Sequence, residues 1–441
     1  MLVNLLIPAV LVRNISSQEF SVWSLSYQII SYVLLLGIGL QVATARAVAH
    51  AAEFPESSAG ISLIVLAARS IARWATVIAL AAVVGATFVY PSFFPQMPEQ
   101  LGSEFRVTLA LLGLTGVVSI ISQVDMGIFQ GLHRNSVFVG VQTGVRLLSL
   151  VAVLIGAAFG STLVEFAGLF AVASALLWPA MRVAYRRISG QCTRKSASVP
   201  VQNVVRELLK YCATLSVWAI CTTVVLTAGT LITGRIDFQS VGAYSLAMTA
   251  SVAFAGLFGA ALAPLITTGA AMYANSDSRG KLPALLISTS AWATLGLGIA
   301  AVLTVGVGHA LLTLWVGAPL AEKTYPLLVV LVTAQAIRNI GAPYASLLLA
   351  TGVHGRAQLS AILEAVANLV VSIGLGLLFG VVGVAVGSVV GGTVGIVGSL
   401  ALNTGRTPEL TPRPGRFIAH GIALPLLVVI PLFVIAMLWR F

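Results

Sequence analysis

The sequence has few charged residues. Asp, Glu, Lys and Arg together fill 8% of its 441 positions, whereas they make up about a quarter of an ordinary soluble domain. Hydrophobic residues fill 58%. A soluble globule has no means of hiding so much apolar surface from water, so this composition excludes that class. It predicts that lipid solvates much of the protein.

Groups that carry out chemistry are also scarce. The three cysteines, Cys192, Cys212 and Cys221, have neither metal-ligand spacing nor the pattern of a disulfide framework. The sequence pairs no nucleophile with a base and contains no phosphate-binding glycine loop. We therefore expect a protein that is not an enzyme and that uses no cofactor and no metal ion.

Apolar segments recur along the chain and predict transmembrane helices, because a helix satisfies its own backbone hydrogen bonds inside hydrocarbon. The predicted fold class is therefore an all-α polytopic membrane protein. The segments lie near 1–12, 20–45, 70–90, 107–129, 136–159, 163–183, 208–233, 239–271, 284–308, 325–350, 358–380, 382–402 and 417–438.

The first apolar segment is too short to span a bilayer, which needs about 20 residues. It lacks the basic region and the cleavage site of a secretory signal peptide. We interpret it as part of a first helix, and we expect the coding sequence to continue in frame before Met1.

The net charge of +11 comes from basic residues in the short connections, mostly in alternate ones. If the connections alternate between the two sides, most Lys and Arg residues fall on one side, which the positive-inside rule makes cytoplasmic. The basic residues form no patch with interleaved aromatics, so we expect membrane lipids and no nucleic acid as partners. The predicted location is the cell inner (cytoplasmic) membrane.

The two halves of the chain resemble each other. Two matches share a shift of 221 residues and a third has a shift of 220: Trp-Ser-Leu at 23–25 with Tyr-Ser-Leu at 244–246, Gly-Leu-His at 131–133 with Gly-Val-His at 352–354, and Phe-Gly at 159–160 with Phe-Gly at 379–380. Corresponding matches of this kind predict an internal duplication. Six spans per copy is an even number, so the repeats should be parallel.

The predicted organisation follows from this duplication and from the basic connection in the middle of the chain. It comprises a six-helix lobe at 1–187, a basic cytoplasmic linker at 188–207, a second six-helix lobe at 208–402, and a loop with one additional transmembrane helix at 403–441. We expect a central cavity between the lobes. The many small residues from 380 to 398 predict close helix packing.

Two arginines, Arg146 and Arg338, stand near the middle of their spans. Each costs about 2.5–3.5 kcal/mol on insertion scales, so it should face another helix or a watery cavity. Other polar residues share their helical faces. These companions are Gln142 before Arg146, Gln335 and Asn339 around Arg338, a row of Ser360, Glu364, Asn368 and Ser372 at a spacing of four, and a stripe of Ser24, Gln28 and Ser31 with Tyr27 beside it.

Two interpretations of these residues remain open. In the first, they line an aqueous, cationic cavity; the candidate substrate-binding residues are Arg146, Arg338, Gln142, Gln335, Asn339, Glu364, Asn368 and Gln28. In the second, they join helices, with Arg338 paired to Glu364 and Arg146 paired to Glu165 or Asp125. His133 and His354 fall in predicted cytoplasmic turns, where solvated loop residues are the expected interpretation.

Short motifs along most of the chain, from about 2 to 403, have a familiar order. They are Arg-Asn-Ile-Ser-Ser-Gln-Glu-Phe at 13–20, Trp-Ser-Leu at 23–25, Gly-Ile-Gly-Leu at 37–40, Gly-Ile-Phe-Gln-Gly-Leu-His-Arg at 127–134, Val-Gly-Ala-Tyr-Ser-Leu-Ala at 241–247, Trp-Val-Gly at 315–317 and Tyr-Pro at 325–326. In this they resemble bacterial polysaccharide flippases of the O-antigen and exopolysaccharide (Wzx-type) kind. The short first helix and a thirteenth segment without a fourteenth depart from that family's pattern.

The resemblance implies membership of the multidrug/oligosaccharidyl-lipid/polysaccharide (MOP) exporter superfamily, with two six-helix bundles around a central cavity. It implies a flippase that moves undecaprenyl-pyrophosphate-linked oligosaccharides across the cytoplasmic membrane by alternating access, for surface polysaccharide biosynthesis. The polysaccharide polymerase machinery is then an expected partner. The alternative is a cation-coupled multidrug exporter, which would need acidic rather than basic residues in its cavity. A membrane glycosyltransferase would need a larger outside loop than the sequence offers.

Overall fold

The computed structural model describes residues 2–53, 60–188, 200–351 and 358–440, and all regular secondary structure within these ranges is helical. Cys192, His354 and most of the predicted linker lie outside the described residues. The α-helices are α1 (Leu2–Asn14), α2 (Ser17–Glu53), α3 (Ile61–Phe93), α4 (Gly102–Gly131), α5 (Asn135–Ala158), α6 (Leu163–Ala175), α7 (Leu177–Ile188), α8 (Val201–Ile236), α9 (Val241–Ala274), α10 (Ser276–Arg279), α11 (Leu282–Val316), α12 (Ala318–Ile340), α13 (Ala342–Ala350), α14 (Gln358–Asn403), α15 (Pro414–Phe417) and α16 (Leu424–Arg440).

Among the described residues, 11 helical stretches are long and apolar enough to cross a membrane. A short π-helix, Ile418–Ala423, joins α15 to α16 within the last of these stretches. The prediction of a polytopic all-α membrane protein is confirmed. The first helix, α1, is 13 residues long and falls below this length, as the first apolar segment did in the sequence.

A glycine divides α14 into two antiparallel halves. Gly380 has φ 65° and ψ −149°, which breaks the helix between the two apolar segments predicted there. A Cβ atom added to Gly391 in the second half would lie 2.6 Å from the Cβ atom of Asn368 in the first. Backbones approach this closely only where one helix presents small residues, so the predicted close packing of this region is confirmed.

The corresponding position in the first half of the chain also has a glycine with positive φ. Gly160, between α5 and α6, has φ 68°, and Phe159 before it is 85% exposed, as Phe379 is 68% exposed before Gly380. Glycine adopts positive φ without steric cost, which explains why a glycine recurs at both places. The duplication and its six-helix lobes stay predictions.

The chain forms two compact units. The N-terminal unit consists essentially of Leu6–Thr223, and the C-terminal unit of Val224–Phe441 together with Val3–Leu5. The division falls inside α8, whose helix continues through it. Within the C-terminal unit, the indole Nε1 of Trp315 donates a hydrogen bond of 2.9 Å to the carbonyl oxygen of Leu5.

Each unit has its own apolar core. In the N-terminal unit, α2, α3, α4 and the start of α8 bury residues such as Leu40, Val65 and Leu208. In the C-terminal unit, α9, α11, α12 and the second half of α14 enclose residues such as Tyr244 and Tyr325. The hydroxyl of Tyr325 donates to the carbonyl oxygen of Val305 at 2.6 Å, which satisfies it inside that core.

Candidate functional site

The arginine on α12 is held by an ion pair. Arg338 Nε donates to Glu364 Oε1 on α14, and Arg338 Nη1 donates to Gln335 Oε1 at 3.0 Å. The side chains of Arg338 and Glu364 are 19% and 16% exposed. The pairing that the sequence offered as an alternative is therefore present. The substrate-binding role of these residues stays a prediction.

Two polar residues lie close to Arg338 because of their spacing along α12. Gln335 lies three residues earlier on the same face of α12 and is buried. Asn339 lies one turn after Gln335, and its Nδ2 donates to the Gln335 backbone carbonyl at 2.8 Å. Neighbours three and four residues apart on a helix meet in this way, so the predicted shared face is confirmed. Asn339, however, contacts the backbone and not the guanidinium.

Glycines of the second half of α14 make room for the polar row on its first half. A Cβ atom added to Gly395 would lie 2.8 Å from Glu364 Cδ, and one added to Gly392 would lie 3.2 Å from the Ala334 carbonyl oxygen on α12. The second half of α14 therefore approaches both α12 and the first half closely. This close packing brings the Glu364 carboxylate into contact with Arg338.

Some polar atoms of this group have no hydrogen-bond partner among the described residues. They are Arg338 Nη2 and both amide atoms of Asn368, a residue that is 1% exposed. Leaving such atoms unpaired costs about 1–3 kcal/mol each, and more for a charged group. Native proteins satisfy nearly all of them with protein, water or a ligand. The group that we call the Arg338 cluster (Arg338, Gln335, Glu364 and Asn368) thus has unused hydrogen-bonding capacity.

The other mid-span arginine has a different environment. Arg146 on α5 is exposed, and it forms no ion pair or hydrogen bond with the described part of the chain. Gln142 and Gln28 are half-buried, and no hydrogen bond joins either of them to Arg146 within the described ranges.

Both partners suggested for Arg146 are engaged elsewhere, so that part of the prediction is wrong. Glu165 closes a capping box at the start of α6, where it accepts the backbone N–H of Thr162 at 2.8 Å. Asp125 accepts from Arg69 Nη2 at 3.0 Å and lies 3.8 Å from Arg182 Nη1. Sequence reasoning missed this second pairing, because Arg69 and Arg182 are among the basic residues that it assigned to the connections. Their positions at the borders of the apolar segments 70–90 and 163–183 were the available signal.

Of the two histidines in predicted cytoplasmic turns, only His133 lies within the described residues. His133 is exposed in the connection between α4 and α5 and has φ 57°. It is a loop residue there, as predicted. His354 lies outside the described residues.

No protein-family model and no curated protein sequence matches the chain. Solved structures do match. An inward-facing multidrug resistance MATE-family transporter of the MOP superfamily has a TM-score of 0.72 at 14% identity, over 92% of this chain and 94% of its own. The lipid II flippase MurJ in an inward closed conformation has a TM-score of 0.69 at 13% identity, over 99% and 95%.

A further match is a MOP-superfamily transporter from Pyrococcus furiosus, with a TM-score of 0.53 at 16% identity over 92% of this chain and 95% of its own. The description of that structure states that the reverse polarity of its binding pocket suggests a different function. The chain therefore has the fold of MOP-superfamily transporters, as the family resemblance implied. At these identities the likeness concerns the fold alone.

Proposed function

We propose that this protein is a flippase that carries an anionic, lipid-linked oligosaccharide across the cytoplasmic membrane. The observation that carries the proposal is the unused hydrogen-bonding capacity of the Arg338 cluster. Arg338 Nη2 and both amide atoms of Asn368 are buried and unpartnered among the described residues. These are donors and an acceptor for a polar cargo inside a membrane protein.

Charge decides which cargo fits best. A guanidinium presents N–H donors in a planar fork that matches phosphate oxygens, and bonds between ionised partners are among the strongest hydrogen bonds in proteins. Arg146 adds a second mid-span positive charge that no described carboxylate neutralises. A pyrophosphate linked to sugars offers anionic oxygens to Arg338 and sugar hydroxyls to Asn368.

The structural neighbours support a transporter of this general kind. MurJ is by name a lipid II flippase, which supports a flippase among the roles of this fold. The protein's location in the inner membrane and its work with the polysaccharide polymerase machinery belong to the same proposal. So does alternating access, in which the cargo site is exposed to one side of the membrane at a time.

A cation-coupled multidrug exporter is the second candidate, because the MATE-family neighbour is described as a multidrug resistance transporter. Such cargo needs an uncompensated carboxylate. Glu364, the acidic residue of the Arg338 cluster, is already paired with Arg338. The charges of the cluster cancel, but the unused Nη2 donor of Arg338 and the positive charge of Arg146, which no described carboxylate neutralises, favour anionic cargo.

The experiment is complementation in a strain that lacks the chromosomal gene. Arg338→Ala should abolish surface glycan export and cause lipid-linked oligosaccharide to accumulate, and Arg338→Lys should restore little because it loses the planar fork. The double variant Arg338→Ala/Glu364→Ala removes both charges and guards against misfolding caused by a lone carboxylate. Gly374→Ala on α14, where an added Cβ atom meets nothing within 4 Å, is the matched control.

Membrane insertion of every variant is checked with a C-terminal fluorescent tag. Normal glycan export by the double variant would remove Arg338 from the mechanism. Loss of drug resistance with no change in lipid-linked oligosaccharide would select the multidrug exporter.

A further inference from the structure

A cavity of about 420 Å³ lies in the N-terminal unit. It is lined by α3, α4 and α7, and its polar lining consists of Arg69, Arg73, Thr76, Asp125 and Arg182. Apolar side chains, Trp178 among them, complete the wall. None of these residues belongs to the Arg338 cluster or to the candidate residues around Arg146.

The charges of this cavity do not cancel. Asp125 is almost fully buried and accepts from Arg69 at 3.0 Å, with Arg182 at 3.8 Å. The guanidinium groups of Arg69 and Arg182 also lie 4.9 Å and 5.7 Å from the ring centre of Tyr185. One carboxylate and one aromatic ring thus hold two arginines in place, and three arginines against one carboxylate leave the lining net positive.

Two donors of the cavity are unused. Arg73, one turn after Arg69, is exposed and makes no hydrogen bond, ion pair or ring contact with any residue in the described ranges. Thr76 Oγ1 is buried and lacks a hydrogen-bond partner there. Both lie on the same side of α3 as Arg69, because residues three and four apart share a helical face. A bound anion would satisfy both.

The surroundings of the cavity indicate its depth in the membrane. Arg69 lies about 12 Å along α3 from Ile61, at a rise of 1.5 Å per residue, on the end that the positive-inside rule makes cytoplasmic. Trp74 and Trp178 are 70% and 44% exposed beside it, and Val77 in the lining is 57% exposed. Exposed tryptophans favour the level of the lipid headgroups. The cavity therefore adjoins both headgroups and apolar, lipid-exposed surface.

We propose that this cavity binds the phosphate of an anionic phospholipid from the cytoplasmic leaflet. Arg73 and Thr76 donate to the phosphate oxygens, and Arg69 and Arg182, aligned by Asp125, supply the positive field. Basic pockets between transmembrane helices on the cytoplasmic side suit anionic headgroups. The acyl chains lie along the exposed apolar side of α3. The site is independent of the cargo proposed above.

The test is native mass spectrometry of the full chain in detergent, titrated with phosphatidylglycerol or with phosphatidylcholine. The wild type should retain phosphatidylglycerol in preference to phosphatidylcholine. Arg73→Gln should weaken the first phosphatidylglycerol about tenfold, the loss expected for a hydrogen bond between charged groups. Thr76→Val should weaken it less. Arg187→Gln, an exposed arginine on α7 outside the cavity lining, is the matched control with the same loss of charge.

Three outcomes would overturn the proposal. They are unchanged phosphatidylglycerol binding by Arg73→Gln, an equal loss in Arg187→Gln, and equal retention of the two lipids by the wild type. An arm with inorganic phosphate distinguishes the source of the anion. If millimolar phosphate displaces the lipid in an Arg73-dependent way, the site takes a phosphate ion from water and the lipid assignment is wrong. Transport activity enters none of these readouts, so failure of the proposed function leaves the test intact.

Discussion

Arg338 and Arg146 have similar positions in the sequence but different environments in the structure. Each stands near the middle of an apolar segment with a glutamine one turn away. Arg338 is 19% exposed and holds two partners, whereas Arg146 is exposed and contacts no carboxylate among the described residues. A mid-span arginine is therefore either paired with a carboxylate or left without one, and the adjacent helices decide which.

The difference arises from the carboxylates within reach. On the C-terminal side, the glycines of α14 bring Glu364 against α12. In the N-terminal unit, Glu165 caps α6, and Asp125 forms ion pairs with Arg69 and Arg182. A mid-span arginine thus joins two helices in the C-terminal unit and, among the described residues, keeps an unpaired charge in the N-terminal unit.

The largest expected effect comes from breaking the Arg338 pair. Arg338→Met and Glu364→Leu should each lower the free energy of unfolding by about 3–5 kcal/mol, because each leaves a buried charge unpaired. The double variant should cost clearly less than the sum of the two. Equilibrium unfolding in mixed micelles gives the three values of the double-mutant cycle. Additive costs would show that the ion pair does not couple α12 to α14.

Closing the gap between the halves of α14 should have the next largest effect. Gly391→Ala places a Cβ atom 2.6 Å from Asn368 Cβ and 2.9 Å from its Cα, and overpacking of this kind costs about 1–3 kcal/mol. Gly374→Ala in the same helix meets nothing within 4 Å and serves as the control. Thermal unfolding in detergent measures both variants. Equal melting temperatures for the two would contradict the close packing that brings Glu364 to Arg338.

Two of the positive-φ glycines, Gly160 and Gly380, offer a comparison between the units. Gly160→Ala and Gly380→Ala should each cost about 1–3 kcal/mol, because positive φ strains a residue that has a Cβ atom. No atom obstructs an added Cβ at either position, so backbone strain alone should act. Similar losses of melting temperature are expected. A cost in only one unit would show that the shared Phe-Gly geometry is coincidental.

The smallest effect on stability is expected at Arg146. Because it has no described ion pair or hydrogen bond to lose, Arg146→Gln should change the free energy of unfolding by no more than about 0.5 kcal/mol. The proposed function requires that glycan export nevertheless falls. Unfolding and complementation are measured on the same variant. A large loss of stability would place Arg146 among the packing residues and erase its contrast with Arg338.

Much of the fold was predictable from the sequence because its signals are local. The length of the apolar segments predicted the spans. The boundary between two apolar segments predicted the break at Gly380, and helical spacing predicted the shared face of Gln335 and Arg338. Small residues gave the close packing of α14. Each of these depends on residues near one another in the chain.

The candidate site was predictable only in part. The pairing of Arg338 with Glu364 was one of the two interpretations offered by the sequence, because both residues stand on apolar helices and a buried charge needs a partner. The partners of Arg146 were predicted wrongly, because Asp125 and Glu165 had other partners that spacing along the chain did not show. The unpartnered amide of Asn368 and the cavity lined by Arg73 had no sequence signal at all.

The sequence by itself determined that this protein is a bundle of membrane-spanning helices and in which parts of the chain they lie. Hydrophobicity and helical period are properties of each segment alone. The tertiary structure decided which charges pair, which stay open to a ligand and where a cavity forms. Those outcomes depend on distances between helices, since an ion pair forms only where packing brings two side chains within a few ångströms.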